Sequence, residues 1–63
     1  MYTMINNYIN GNLTEAKAQA KKYTLARIRS ELIDAYGYSD NKAQLTANYL
    51  KTGEGYQAAC DAN

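Results

Sequence analysis

Large aliphatic side chains are scarce in this sequence, which has only five Leu, four Ile and two Met among its 63 residues. Its ten Ala favour helix but bury little apolar area. Seven Tyr are the only aromatic residues, because Trp, Phe and His are absent. We therefore expect some phenol rings to complete the core and the others to stay on the surface, where Tyr is a common anchor of protein contacts.

A single core in a chain of this length supplies only about 3–5 kcal/mol, and the usual reinforcements are missing. Cys60 is the only cysteine, so no intrachain disulfide can form. Without His there is no second soft ligand for a structural zinc site, and we predict neither a metal nor a cofactor. Stability must come from close helix packing or from association, for example as a homodimer.

The sequence has no run of the roughly 18–20 apolar residues that a transmembrane helix needs. Its first ten residues, MYTMINNYIN, lack the basic start and the apolar stretch of a signal peptide. One unpaired thiol also fits a reducing compartment. We therefore expect a cytoplasmic protein that does not contact a membrane.

The absence of Pro and Val, with Ala, Lys, Leu, Glu and Gln filling the long segments, favours helix throughout. We predict an all-α fold that forms a single helical domain over residues 1–63, as a compact bundle of three main helices with short flanking helices. The predicted helices are a short one before Gly11, main helices over about 12–23, 25–36 and 40–52, and a short one over 56–62.

The helix over 25–36 carries the most hydrophobic stripe, so we expect it to be the central one. Gly37 is placed to end it in a left-handed conformation, and Ser39 to cap the helix that follows. Tyr23 and Tyr36 fall on core-facing stripes and are predicted to be structural. Before Gly11 the apolar residues also recur at helical spacing, but this segment is short and is expected to fray. Its apolar residues are Met1, Met4, Ile5, Tyr8 and Ile9.

The residue types argue against an enzyme, and we predict no catalytic residues. No His is present to carry a proton near neutral pH, and Cys60 has no base beside it in the sequence to activate its thiol. The segment Gly53-Glu54-Gly55 is too short for a phosphate-binding loop, and it lacks the Lys and the Ser or Thr that follow the glycines of such a loop.

Protein binding is the function that we favour. Tyr38, Tyr49 and Tyr56 lie near the ends of the helix over about 40–52, where they would form an exposed aromatic patch. Alternatively, these rings cover a core too poor in Leu and Ile to cover itself. Residues 1–31 carry a net charge of +3 and residues 32–63 one of −2, a polarity that can orient a partner. The basic side chains predicted to make this contact are Lys21, Lys22, Arg27 and Arg29.

A small helix-turn-helix DNA-binding regulator is the second hypothesis, because a glycine turn at Gly37 joins two predicted helices. Against it, Ile33 is bulky where tight helix crossing usually requires a small residue, and Asp40 puts a negative charge at the start of the recognition helix. The net charge of +1 is also small for a polyanion binder. The side chains that would read DNA bases are Asn41, Lys42, Gln44 and Asn48.

Two segments, YSDNKAQLTANYLKTGEGY from Tyr38 and LTEAK from Leu13, resemble small helical accessory proteins of bacteriophages and prophages. The resemblance is one of general style and brings no site motif, so it assigns no residue a role. It implies stoichiometric binding that occludes a host nucleic-acid-handling or defence complex in the host cytoplasm, or control of phage promoters. A structural protein that self-associates through exposed tyrosines is a third hypothesis.

Overall fold

Five α-helices and no strand make up the computed structural model, which describes all residues from Met1 to Asn63. The all-α prediction is confirmed, and the limits expected for the third and fourth helices are correct. The second helix is only eight residues long and no longer than the first. The helices are α1 (Tyr2–Ile9), α2 (Leu13–Ala20), α3 (Leu25–Tyr36), α4 (Asp40–Thr52) and α5 (Tyr56–Asp61).

The second helix ends three residues earlier than its apolar pattern predicts. Beyond Ala20 the backbone N–H groups of residues 21–23 donate to carbonyls three residues back, which is the tighter geometry of a 3₁₀ turn. Tyr23 therefore lies outside α2, where its hydroxyl accepts a hydrogen bond of 2.9 Å from the Met1 amino group.

α1 is firmly anchored, contrary to the expectation that this segment would fray. Met4 and Ile5 are completely buried and Tyr8 is nearly so, because these side chains share one face of the helix. The helix packs along α2, and Asn7 Nδ2 donates a 2.9 Å hydrogen bond to Gln19 Oε1 across the two helices.

Local capping signals set the limits of α3 and α4. The Thr24 hydroxyl accepts a hydrogen bond from the N–H of Arg27, and the Ser39 hydroxyl accepts one from the N–H of Lys42. At the end of α3, Gly37 has φ +72°, and the next N–H reaches back to the carbonyl of Leu32. The helical hairpin expected around this glycine is therefore present.

The centre of the bundle is α4, not α3 as its hydrophobic stripe suggested. α4 packs against α2, α3 and α5, whereas α3 packs extensively only against α4. The fully buried Ala43 and Ala47 explain this difference, because small side chains let neighbouring helices approach closely without a strongly hydrophobic stripe. Which helix lies at the centre of this bundle therefore depends on the size of its buried side chains as well as on their hydrophobicity.

A lysine of α4 holds the end of α5 in place. The ammonium group of Lys42 donates hydrogen bonds to the carbonyls of Ala59 at 3.0 Å, Cys60 at 3.4 Å and Ala62 at 3.2 Å. The last carbonyls of a helix have no partner within it, and a cation there also offsets the helix dipole. All five helices are too short or too polar to cross a lipid bilayer.

Candidate binding surfaces

Three tyrosine rings contact one another where α1, α4 and α5 meet. The ring centroids are 6.0 Å apart for Tyr8 and Tyr49, 6.2 Å for Tyr8 and Tyr56, and 5.1 Å for Tyr49 and Tyr56. These distances suit tilted and edge-to-face packing. Tyr49 is only 3% exposed, so its predicted role as a surface anchor is wrong. Its ring fills core volume that the few large aliphatic residues leave open.

The hydroxyl of Tyr8 lies in a largely apolar environment. Burial raises the pKa of Tyr8 to about 12, while the Thr46 hydroxyl acts in the opposite direction. The approach of these two groups falls short of good hydrogen-bond geometry, which leaves the Thr46 hydroxyl buried without a partner. The cluster is therefore a packed part of the core, and beside it the Thr46 hydroxyl is buried without a hydrogen-bond partner.

The other two predicted anchors differ in exposure. Tyr38 is half-buried against the core, with the Lys42 ammonium 5.6 Å from its ring centroid, and burial raises its pKa. Tyr56 is 40% exposed, and interaction with the Cys60 side chain one turn along α5 raises its pKa. Of the three rings, only Tyr56 offers substantial area to a partner.

An exposed apolar face on α1 was not predicted from the sequence. Tyr2 is 71% exposed and Ile9 is 53% exposed, and their spacing of seven residues places them on the same side of the helix. The seven-residue spacing of Tyr2 and Ile9 is the sequence signal from which this face could have been predicted. We call the residues on this side the α1 outer face: Tyr2, Thr3, Asn6, Ile9 and Asn10.

The four basic residues predicted to orient a partner have three different surroundings. Lys21 and Lys22 are exposed in the turn after α2. The guanidinium of Arg27 lies 5.5 Å from the ring centroid of Tyr23. Arg29 is half-buried and forms an ion pair of 3.9 Å with Asp40. Their charges are therefore not equally available to a partner, because Arg29 is paired with Asp40 and Arg27 lies beside the ring of Tyr23, which precedes α3.

A cleft of about 180 Å³ opens where α2 and α4 end side by side. Three of its lining residues are lysines: Lys17 and Lys21 lie one turn apart in and just after α2, and Lys51 is near the end of α4. Lys51 was not predicted to meet the other two. The Lys17 ammonium lies 5.4 Å from the Tyr49 ring centroid, and Lys51 donates to the carbonyls of Ala20 at 3.2 Å and Tyr23 at 2.7 Å. We call this site the lysine cleft; it is lined by Lys17, Lys21, Leu50, Lys51, Thr52 and Gly53.

The residues proposed to read DNA are separated by the structure. Asn41, Gln44 and Asn48 lie on the outward side of α4, where Gln44 Nε2 donates a 3.1 Å hydrogen bond to Asn48 Oδ1. Lys42 is directed instead to the end of α5, so its predicted role in base reading is wrong. The carboxylate of Asp40, with 82% of its side chain exposed, adds a negative charge at the start of α4.

No protein-family model, curated protein or solved structure matches this chain. Three candidate surfaces differ in charge. The α1 outer face has no charge, the lysine cleft is cationic, and the amide side chains on the outward side of α4 are neutral but adjoin the acidic Asp40.

Proposed function

We propose that this protein is a non-enzymatic protein-binding module and that the α1 outer face is its docking surface. The exposure of Tyr2 and Ile9 supports the proposal, because these are two of the three large hydrophobic side chains that are exposed. The centre of a protein interface is typically rich in Tyr and poor in charge. The α1 outer face has this composition, since it includes a Tyr and an Ile and none of its five side chains is charged.

The lack of charge also defines the chemistry of the partner. A nucleic acid or an acidic surface would need cations on the docking face, and α1 has none. An uncharged apolar groove on another protein would bury Tyr2 and Ile9, while Asn6 and Asn10 supply hydrogen bonds at the rim. The helix is held rigid by its buried side, so little conformational entropy is lost on docking.

In the form that the phage resemblance implies, the protein is an inhibitor or modulator of a host nucleic-acid-handling or defence complex. Its mechanism is steric occlusion, in which a small rigid bundle covers a functional surface of its target. Such a protein works in the cytoplasm of the host cell.

Co-purification from a bacterial lysate tests the docking surface. The tagged protein should capture a defined partner in a fixed stoichiometry, and the double variant Tyr2→Ala with Ile9→Ala should capture at least tenfold less, because it loses the exposed anchors. Leu45→Ala removes a half-exposed apolar side chain from α4 and is the matched control, with capture unchanged. Equal capture by the double variant and the control would contradict the proposal.

The alternative function is a DNA-binding regulator, favoured by the outward position of Asn41, Gln44 and Asn48 on α4 after the glycine turn. The Tyr2 and Ile9 variants separate the two hypotheses. A regulator that reads DNA through α4 retains its affinity for duplex when α1 is altered, and that affinity falls steeply with salt. A protein-binding module shows no such affinity.

A further inference from the structure

We propose that the lysine cleft is a binding site for a phosphate group. This site is separate from the α1 outer face, and the proposal does not depend on the docking function. Three of the six residues that line the cleft are lysines, and none is acidic. In a protein whose net charge is only +1, this is a pronounced local concentration of positive charge.

The three ammonium groups have no carboxylate partners. The only ion pair in the protein joins Arg29 of α3 to Asp40 at the start of α4, whereas the cleft is at the other end of α4. Lys51 uses two of its three N–H groups on backbone carbonyls, which leaves one free. The ammonium groups of Lys17 and Lys21 donate no hydrogen bond to any protein group, so the cleft has several free donors.

The ends of α2 and α4 reduce this charge but do not cancel it. Each helix C-terminus is equivalent to roughly half a negative charge, and two such ends meet at the cleft. Three full positive charges against these two ends and the Glu54 carboxylate, which follows Gly53 in the sequence, leave a net charge of about +1. The carbonyls at the end of α2 are also hydrogen-bonded to Lys51, which directs their negative potential toward this ammonium.

Two of the three lysines are already held in place. Lys51 is fixed by its two carbonyl acceptors, and Lys17 lies over the buried ring of Tyr49, with its stem beside Gly53. A preorganised ammonium group loses less entropy when it binds an anion. Lys21 is exposed, which leaves it free to close over a ligand.

Volume and charge together identify the ligand class. At roughly 30 Å³ per water molecule, a cleft of about 180 Å³ holds about six waters. This volume is below the range of about 300–1,000 Å³ that is usual for sites that enclose a whole small molecule. A phosphate group, free or within a larger molecule, fits this volume and offers the three lysines more acceptor oxygens than a carboxylate does.

NMR titration of the isolated protein with inorganic phosphate tests the site, with ionic strength held constant by chloride. The backbone amides of Lys21, Thr52 and Gly53 should shift together and saturate. Lys21→Gln should weaken binding about tenfold, because it removes one charged donor. Lys22→Gln is the matched control: it makes the same charge change one residue away, outside the cleft lining, and should change binding less than twofold.

A second variant tests the sign of the electrostatic effect. Glu54 follows Gly53 directly, so Glu54→Gln removes a negative charge close to the cleft and should tighten phosphate binding. Shifts that do not saturate, or equal losses in Lys21→Gln and Lys22→Gln, would overturn the proposal. The Tyr2→Ala, Ile9→Ala double variant should bind phosphate normally, so failure of the docking function does not affect this result.

A further titration identifies the source of the phosphate. If a short single-stranded oligonucleotide displaces inorganic phosphate and loses affinity in Lys21→Gln, the site takes a backbone phosphate of a nucleic acid. If only phosphate and small phosphate monoesters bind, the site takes a terminal phosphate group. Both results support the site, whereas binding of neither ligand at the cleft contradicts it.

Discussion

Tyr8 illustrates what happens when a phenol takes the place of an aliphatic side chain in a small core. Its ring packs against Tyr49 and Tyr56 and supplies apolar contact area that the sequence lacks elsewhere. Its hydroxyl brings a polar group into the same space, where the Thr46 hydroxyl is buried without a partner. A buried polar group without a hydrogen bond costs about 1–3 kcal/mol, so the extra packing is partly offset.

Tyr8 should make stability depend on pH in the alkaline range. Its pKa in the folded protein is about 12, above the ordinary value of 10.0, because the neutral phenol is favoured by burial. Its contribution is therefore complete below pH 10 and is lost as pH rises toward 12, since the unfolded chain releases this proton first. Urea unfolding followed by circular dichroism at about pH 8 and pH 11 should show the decrease.

Tyr8→Phe should lose less stability over the same interval, because it has no phenol proton to release. Tyr36, Tyr38 and Tyr56, whose pKa values are also raised, are present in both proteins, so their effect cancels in the comparison. The matched control is Tyr2→Phe, whose side chain is mainly in solvent, and its pH dependence should equal that of the wild type. A decrease as steep in Tyr8→Phe as in the wild type would show that another group is responsible.

Among the helices, α5 depends most on its neighbours. It has six residues, fewer than an isolated helix needs to be stable in water. Ala59 is its only buried residue, and the ammonium group of Lys42 is hydrogen-bonded to its last carbonyls. The stability of α5 therefore comes from its neighbours, through the packing of Ala59 and of the Tyr56 ring against Tyr8 and Tyr49 and through one capping side chain.

Replacement of Lys42 by Gln should loosen α5 while the rest of the bundle stays folded. The variant loses the charge at the helix end and three hydrogen bonds, a loss of about 1–2 kcal/mol in local stability. Amide hydrogen exchange should become faster over residues 56–62 and remain unchanged in α3. Lys22→Gln, with the same charge change on an exposed lysine, is the control. Unaltered exchange in α5 would show that this lysine is not its cap.

The helix limits could be predicted where the signals are local. Gly37 and Ser39 mark the end of α3 and the start of α4 through hydrogen bonds that span only a few residues, and these limits were correct. The roles of Lys42 and Lys51 could not be predicted in this way. Their acceptors lie 17 to 31 residues away, so the contacts exist only after the helices have packed.

At the scale of the whole molecule, packing determines which tyrosines are available to a partner. The sequence indicated that seven rings would be divided between core and surface, but it placed Tyr49 on the surface and did not single out Tyr2 for contact. The side of α4 that faces inward is set by Ala43 and Ala47, and Tyr49 points inward beside them. The proposed docking face is on α1, whose opposite side is occupied by the core residues Met4, Ile5 and Tyr8.

The core of this molecule is small enough for one substitution to unfold it. Its cluster of eleven buried residues includes four alanines, and Leu32 is among its few large aliphatic side chains. Leu→Ala substitutions in a core cost about 2–5 kcal/mol, which is comparable to the total of about 3–5 kcal/mol expected for a domain of this length. Leu32→Ala should therefore be largely unfolded at room temperature, with a loss of helical circular dichroism.

Leu45→Ala makes the same chemical change on the outward side of α4 and should alter stability by less than about 0.5 kcal/mol. Because α4 packs against α2, α3 and α5, loss of the core should release all the helices together. Far-ultraviolet circular dichroism and tyrosine fluorescence should then give coincident urea transitions for the wild-type protein. If Leu32→Ala instead kept most of its helix, the bundle would have a source of stability beyond this core, and a second subunit would be the first to test by sedimentation.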